Sequence, residues 1–480
     1  MIDWTALDAA VTRRLPEFAA DLAALIAVPS SAGEPAPHAP FGQAPRRVLD
    51  VACELATAAG FSARVVADAA AEVTWGPTVA APAAQAPAAA AGDPGAAGAA
   101  PATPAGLAAG TSGGTEPPAT VAAPATDGGI GLFGHLDVVA AGADWHSDPF
   151  VLTERAGRYY GRGVLDNKGP AWACFFAMRL LKDAGFTPRR RVRLVLGSDE
   201  ESGSRDMPRY LAAAGAPAFG WTPDCKFPVV YGERGIVNYR IDTPIVDGSL
   251  AALTALSGDT DRGHVPAVMR ATVAGQLLEA HGHRSPSNAP ELGDNALTKL
   301  AQAVAPVAAG QLAAYCGWLG GLHGKHHGEG LGIVFHDVAS GSLIQTPYNL
   351  TLTATGLALE LAVRYPVSVT ESQVTAGLAA AVPTGSRVTV TRSLPGTRHD
   401  PLDPRIQALS AAYAAVTGST AAPVTTTGAT YARAVPNIVA FGPSFPGQKG
   451  IAHKEDEWLA KADLIACVRI YARALAAVSG

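Results

Sequence analysis

Five short motifs in this 480-residue chain bring histidines and carboxylates to places where they can act together. Gly134-His135-Leu136-Asp137 ends an apolar run, and a strand end puts His135 on a sheet rim, where open α/β sheets bind ligands. Asp137, two residues on, faces the same side and can hold the imidazole in one tautomer. Gly161 to Pro170 carries Asp166 and Asn167 in a loop that enters a helix. Ser198 to Gly203 sets Asp199, Glu200 and Glu201 directly after a second apolar strand. Thr222-Pro223-Asp224 and Ile451 to Glu457, with His453 inside it, complete the set.

Two histidines and three carboxylates form a hard-to-borderline donor set that suits zinc, and cobalt or manganese also fit it. A pair of metals about 3.5–4 Å apart needs a bridging carboxylate, a bridging water and outer ligands on each side. A further carboxylate beside that water serves as general base. Glu200 and Glu201 are adjacent, so one can ligate while its neighbour meets the water. Each motif alone has a plain structural reading, such as a solvated glutamate pair or a turn before a helix. Their order, and their position at strand ends, carries the argument.

The elements that must position them are legible from periodicity. Leu7, Val11, Leu15, Phe18, Leu22 and Leu25 have helical spacing, and a second helix is expected over Ala44–Ala59. Phe61 to Trp75 reads as extended chain. Residues 77–127 are almost entirely Ala, Pro, Gly and Thr, and such a segment has little to bury against its ordering entropy; a disordered insertion is expected. Beyond it strands and helices alternate: strands at Ile130–His135 and Arg191–Gly197, a helix over Gly169–Ala184. From 235 the pattern changes, with helices expected near 247–257 and 295–309 and a strand over Leu350–Val363. The last residues return to helix (405–417), strand (438–441) and helix (461–477). The expected fold is α/β: a mixed-sheet catalytic domain (1–234 and 401–480) interrupted by an α+β lid domain (235–400).

Composition limits the function classes. Apolar residues make up 48%, ample for a large core, yet no uninterrupted apolar stretch of about 18 residues is present to span a bilayer. The N-terminus lacks the basic and apolar regions of a signal peptide, so a cytoplasmic location is expected. A formal net charge of −5 without a basic block argues against nucleic acid. The five cysteines are widely spaced and read as reduced, packed thiols, Cys225 among them. His323, His326 and His327 read as an exposed glycine-rich loop. Neither a Gly-x-Ser-x-Gly elbow, a Walker loop nor a His-Glu-x-x-His pair occurs.

The ordered motifs resemble a metallopeptidase family that includes dipeptidase V, carboxypeptidase G, acetylornithine deacetylase and succinyl-diaminopimelate desuccinylase. Its zinc-exopeptidase fold matches the one expected here. The dipeptidase V (Xaa-His dipeptidase) branch is closest, through Gly134-His-Leu-Asp-Val-Val, Tyr160-Gly-Arg-Gly-Val-Leu-Asp-Asn-Lys-Gly-Pro and Asp199-Glu-Glu-Ser-Gly. Arg364-Tyr-Pro, Phe441-Gly-Pro-Ser-Phe-Pro-Gly and Ala452-His453 extend the likeness. The resemblance implies two Zn²⁺ per chain, with Asp166 bridging, His135 and Asp224 at one site, and Glu201 and His453 at the other. It implies Glu200 as general base to a metal-bridging hydroxide, Asp137 as the residue orienting His135, and a cis peptide after Asp166. Arg364 is implied for the substrate carboxylate. For the lid histidine near the scissile carbonyl, His281 is preferred over His283 because Ala280-His281-Gly282 copies the family text. One departure is Arg262-Gly263-His264-Val265-Pro266, where the branch has Asn-Met-Val-Pro. The implied activity is hydrolysis of dipeptides by a monomer with no membrane or nucleic-acid partner. An N-acyl-amino-acid deacylase on the same scaffold is the alternative, and a non-catalytic binding protein a remote one.

Overall fold

A computed structural model describes residues 2–77, 128–448 and 450–480. The expected insertion therefore lies, from residue 78 onward, outside the described residues. Two large hydrophobic cores divide the remainder. The first draws on both parts of the chain, from Leu7 to Tyr231 and again from Ile406 to Leu475. The second lies wholly between Val237 and Leu378. One core is thus nested in the sequence of the other, which is the interrupted α/β architecture expected.

The larger body is built on a nine-stranded mixed sheet. Its middle strands, Val192–Gly197, Ile130–His135, Phe219–Thr222 and Ile438–Phe441, run parallel in that spatial order. Side-chain alternation explains why they are apolar throughout. Leu132, Leu194 and Leu196 enter the main core, while Phe133 and Val195 enter a smaller core with Met207, Tyr210 and Tyr431 on the opposite face. The helix Lys168–Asp183 covers the main-core face and is buried along most of its length. Because the strands are parallel, their C-terminal ends share one rim. His135, the 198–201 loop and Asp224 all leave the sheet there.

The nested unit carries a four-stranded antiparallel sheet in the order Ile344–Leu352, Gly356–Tyr365, Gly235–Pro244, Arg387–Leu394. A three-stranded sheet of Leu253–Gly258, Val268–Val273 and Gln276–His281 lies beside it, with helices Ala296–Val304, Gly310–Gly320 and Glu371–Ala381. Several local expectations are corrected here. The helix expected near 247–257 is a short 3-10 turn at Ser249–Ala252 followed by a strand. Leu250, Leu253 and Leu256 mimic helical spacing, but Leu253–Gly258 finds a strand partner in Val268–Val273, and pairing overrides local periodicity. The expected helix over 295–309 ends at Val304, and Gly310–Gly320 forms a separate helix whose three glycines concealed it. The strand expected over 350–363 is a hairpin that turns at 353–355. At the N-terminus, Pro16 in the first turn of Leu15–Ile26 divides one expected helix into two.

Candidate metal centre

Asp166 sits between the two histidines with one carboxylate oxygen turned to each. Its Oδ1 is 3.1 Å from His135 Nε2 and its Oδ2 is 2.9 Å from His453 Nε2. Asp224 Oδ2 lies 3.7 Å from His135 Nε2, and Glu201 Oε1 lies 2.9 Å from His453 Nε2. Ligand atoms of His135, Asp166 and Glu201 all fall within 4.8 Å of one another, as do those of His135, Glu200 and Asp224. All five residues expected as ligands are therefore gathered at the sheet rim, with Glu200 among them.

The sequence arranges this locally in four steps. His135 is the last residue of its strand. The Asp166–Asn167 peptide is cis, as the resemblance implied. Asn167 then ties three ligand loops together: its Oδ1 accepts from the His135 backbone N–H at 3.4 Å, and its Nδ2 donates to Pro223 O at 2.7 Å and Asp224 Oδ1 at 3.2 Å. His453 adopts a left-handed backbone, φ +61°, in a loop where histidine tolerates that conformation better than most residues do.

Asp137 behaves differently from the expectation. The nearer acceptor for His135 Nδ1 is the Asp137 backbone carbonyl at 3.0 Å, with the carboxylate Oδ1 at 3.5 Å. The Asp137 carboxylate instead receives the backbone N–H groups of Glu200 (3.2 Å) and Glu201 (3.0 Å). It therefore fixes the loop that presents both glutamates as well as one face of His135.

Burial and charge shape the electrostatics. Asp137, Asp166, Glu200, Glu201 and Asp224 crowd around only two histidines, and carboxylates removed from water cost free energy unless cations balance them. Burial, then the charges of Asp224, Glu201 and Asp137, push the Glu200 carboxyl well above its ordinary range. Burial likewise raises Asp224 to about 7. Hydrogen bonds that its ring donates to the Asp166 and Glu201 carboxylates raise His453 to about 11 although the side chain is 52% exposed. His135 is raised against the effect of its own burial by Asp224, Asp137 and Asp166. A site that holds onto protons in this way is one that divalent cations can occupy in their place. The donor set, oxygens and imidazole nitrogens, fits such ions.

Sequence reasoning left several supporting residues unassigned. Glu457 is fully buried, and its Oε1 accepts the backbone N–H groups of Leu165 (2.8 Å) and Asp166 (3.0 Å). Its Oε2 takes Arg162 Nη1 at 2.7 Å and the N–H of Gly163 at 3.3 Å. The spacing of four from His453 was the available signal. Asp206 Oδ2 accepts the N–H groups of Ser198 (2.7 Å) and Asp199 (3.1 Å) together with the Tyr431 hydroxyl, whose ring meets the His135 ring edge-on at 6.2 Å. No sequence motif announces Tyr431.

The two residues expected from the inserted unit stand apart from this cluster. Arg364 Nη1 donates to Thr427 O at 2.9 Å, four residues before Tyr431. His281 is 68% exposed at the end of its strand, with Nε2 3.0 Å from Glu279 Oε1. His283 is engaged through its backbone with Asp294. His323 and His327 bond Thr298 Oγ1 and Leu343 O, and the three-ligand groups found among the described residues exclude them. All five cysteines are free thiols, and no helix among the described residues is long and apolar enough to cross a membrane.

Comparison with known proteins identifies relatives of this chain. Residues 131–477 match the description of Peptidase family M20/M25/M40. The chain is 30% identical over 393 residues to a Beta-Ala-Xaa dipeptidase of Lactobacillus delbrueckii subsp. lactis, spanning 73% of this chain and 82% of that protein. It is 29% identical over 383 residues to the putative dipeptidase YtjP of Bacillus subtilis, spanning 72% and 82%. Among solved structures, human carnosine dipeptidase 1 shares the fold at TM-score 0.55 and 15% identity, covering 99% of this chain and 98% of that one. Aminoacylhistidine dipeptidase from Vibrio alginolyticus does so at TM-score 0.53 and 11% identity, covering 96% of each. The chain belongs to peptidase family M20/M25/M40.

Proposed function

We propose that this chain is a dizinc dipeptidase, with His135, Asp166 and Asp224 at one metal position and His453, Asp166 and Glu201 at the other. The observation that carries the reading is Asp166, whose two oxygens face two different histidines, each accompanied by its own further carboxylate. The Beta-Ala-Xaa dipeptidase relative supports a dipeptide as substrate. When bound there, two divalent ions would supply Lewis acidity and would lower the pKa of the attacking water.

The residues then divide the remaining work. Glu200 reaches the same group as His135 and Asp224, and serves as general base, taking a proton from the attacking water and delivering it to the leaving amine. Asp137 holds the Glu200 and Glu201 N–H groups so that this carboxylate stays aimed at the rim. Arg364 binds the substrate carboxylate through its guanidinium fork. His281 steadies the developing oxyanion once the inserted unit closes over the rim, a movement that also excludes water.

A substrate panel and one substitution test this reading. Dipeptides should be hydrolysed in preference to N-acetyl and N-succinyl amino acids, in the presence of zinc, cobalt or manganese. Glu200→Gln should keep about two metal ions per chain while turnover falls at least ~1,000-fold, the upper part of the range for a lost general base. A variant retaining a tenth of the activity would remove Glu200 from that role.

A further inference from the structure

The face of the four-stranded sheet that carries Arg364 holds more arginine than its own carboxylates can balance. Odd-numbered residues of Gly235–Pro244 and Gly356–Tyr365, such as Val237, Tyr239, Leu361 and Val363, enter the core of the inserted unit. Even-numbered residues face the other way. Arg364 is paired in register with Ile236, and Arg392, on the neighbouring strand, with Asn238. Ser393 bonds Glu371 on the core side, so Arg392 projects from the same face as Arg364. The two arginines start two strands across and two residues along, about 12 Å, close enough for their long side chains to converge on one small ligand.

Among the described residues, Arg364, Arg392 and Arg262 have no carboxylate within ion-pair distance; Arg364 has only the Thr427 carbonyl. Arg433, next to them, is matched by Glu233 at 2.8 Å. The other acids of this face are engaged further along the strands, Glu360 with Asn349 and Asp242 with Arg240. Burial, followed by the charges of Arg433, Arg392 and Arg234, lowers Arg364 to about 10, and Arg262 and Arg433 act on Arg392 in the same sense. Such a concentration of unpaired guanidinium groups is notable in a chain of net charge −5. Thr427 connects it to the metal centre, since Tyr431 beside His135 is four residues on and four residues span at most about 14 Å.

We propose that Arg392, supported by Arg262, forms a second anion subsite beside Arg364 and selects dipeptides whose C-terminal residue is aspartate or glutamate. The inference rests on the dipeptidase reading: with Arg364 on the main-chain carboxylate, the side-chain carboxylate of the same residue is a few ångströms from it, a separation that the two arginines on one face can span. A neutral isostere would leave the second arginine without its partner.

The test compares dipeptides that differ only in charge, Ala-Asp against Ala-Asn and Ala-Glu against Ala-Gln, with the metal-loaded full chain. The expected wild-type kcat/KM ratio of acid to amide is tenfold or more, falling toward one in Arg392→Gln and further in the Arg262→Gln/Arg392→Gln double variant. Because each ratio is taken within one protein, partial misfolding cancels from it. Equal or better turnover of the amides by wild type, or a ratio unmoved in the double variant, overturns the subsite and leaves the dipeptidase reading standing. If no dipeptide is cleaved while N-acyl amino acids are, the dipeptidase reading itself fails and this proposal with it.

Discussion

Glu457 shows how much a single residue outside the ligand set contributes. It joins the loop of His453 to the loop of Asp166, and its carboxylate is the buried partner of Arg162 at 2.7 Å. Glu457→Gln keeps the volume but removes the charge, leaving Arg162 buried without a counter-ion and weakening two charge-assisted bonds to the N–H groups of Leu165 and Asp166. Breaking one side of a buried ion pair costs roughly 3–5 kcal/mol. The variant should unfold at lower urea concentration and bind metal more weakly, by urea denaturation and metal titration. Unchanged values in both would show that Asp166 needs no such support. Asp137 was expected to hold the His135 ring, and it does so chiefly through its backbone carbonyl, its carboxylate being committed to Glu200 and Glu201.

At the scale of elements, the rim works because the strand ends are packed without slack. A Cβ at Gly197 would lie 1.9 Å from the Tyr431 hydroxyl oxygen and 2.3 Å from Asp206 Oδ2. Gly197→Ala must therefore displace the Tyr431–Asp206 pair or move the strand end that delivers Glu200 and Glu201. Overpacking of this kind costs about 1–3 kcal/mol. We expect a lower melting temperature together with a loss of kcat larger than the change in KM, since the loop carrying Glu200, the proposed general base, moves. A variant with wild-type kcat would show that the loop tolerates the shift. The same strand ends were readable in advance: apolar runs finishing in His135 and Gly197 identify a buried strand and its exit. The Leu253–Gly258 strand was not, because three leucines three apart suit a helix until a pairing partner is known.

For the whole molecule, gathering five carboxylates at one rim should make the stability of the fold respond to divalent cations. A ligand bound only by the folded chain at about a thousand times its Kd adds roughly 4 kcal/mol. Chelation should lower the melting temperature by several degrees, and re-addition of zinc should restore it. Identical melting curves with and without chelator would mean that the site is stable without cations. The apolar residues of the inserted unit are satisfied among themselves, between Val237 and Leu378, as the proposed closure over the rim as one body requires.

The sequence by itself determined the α/β body, its interruption, and the candidacy of His135, Asp166, Glu200 and Glu201, because each follows or precedes a strand or helix whose periodicity is strong. Asp224 and His453 were reached through resemblance, since Pro-Asp and Ala-His say nothing until the chain returns to the same rim. Only the tertiary structure decided that Asp166 faces both histidines, that Asn167, Glu457 and Tyr431 hold the ligand loops, and that Arg392 shares a face with Arg364. Those relations depend on sheet register and on loops hundreds of residues apart. Local propensity carries no information about either.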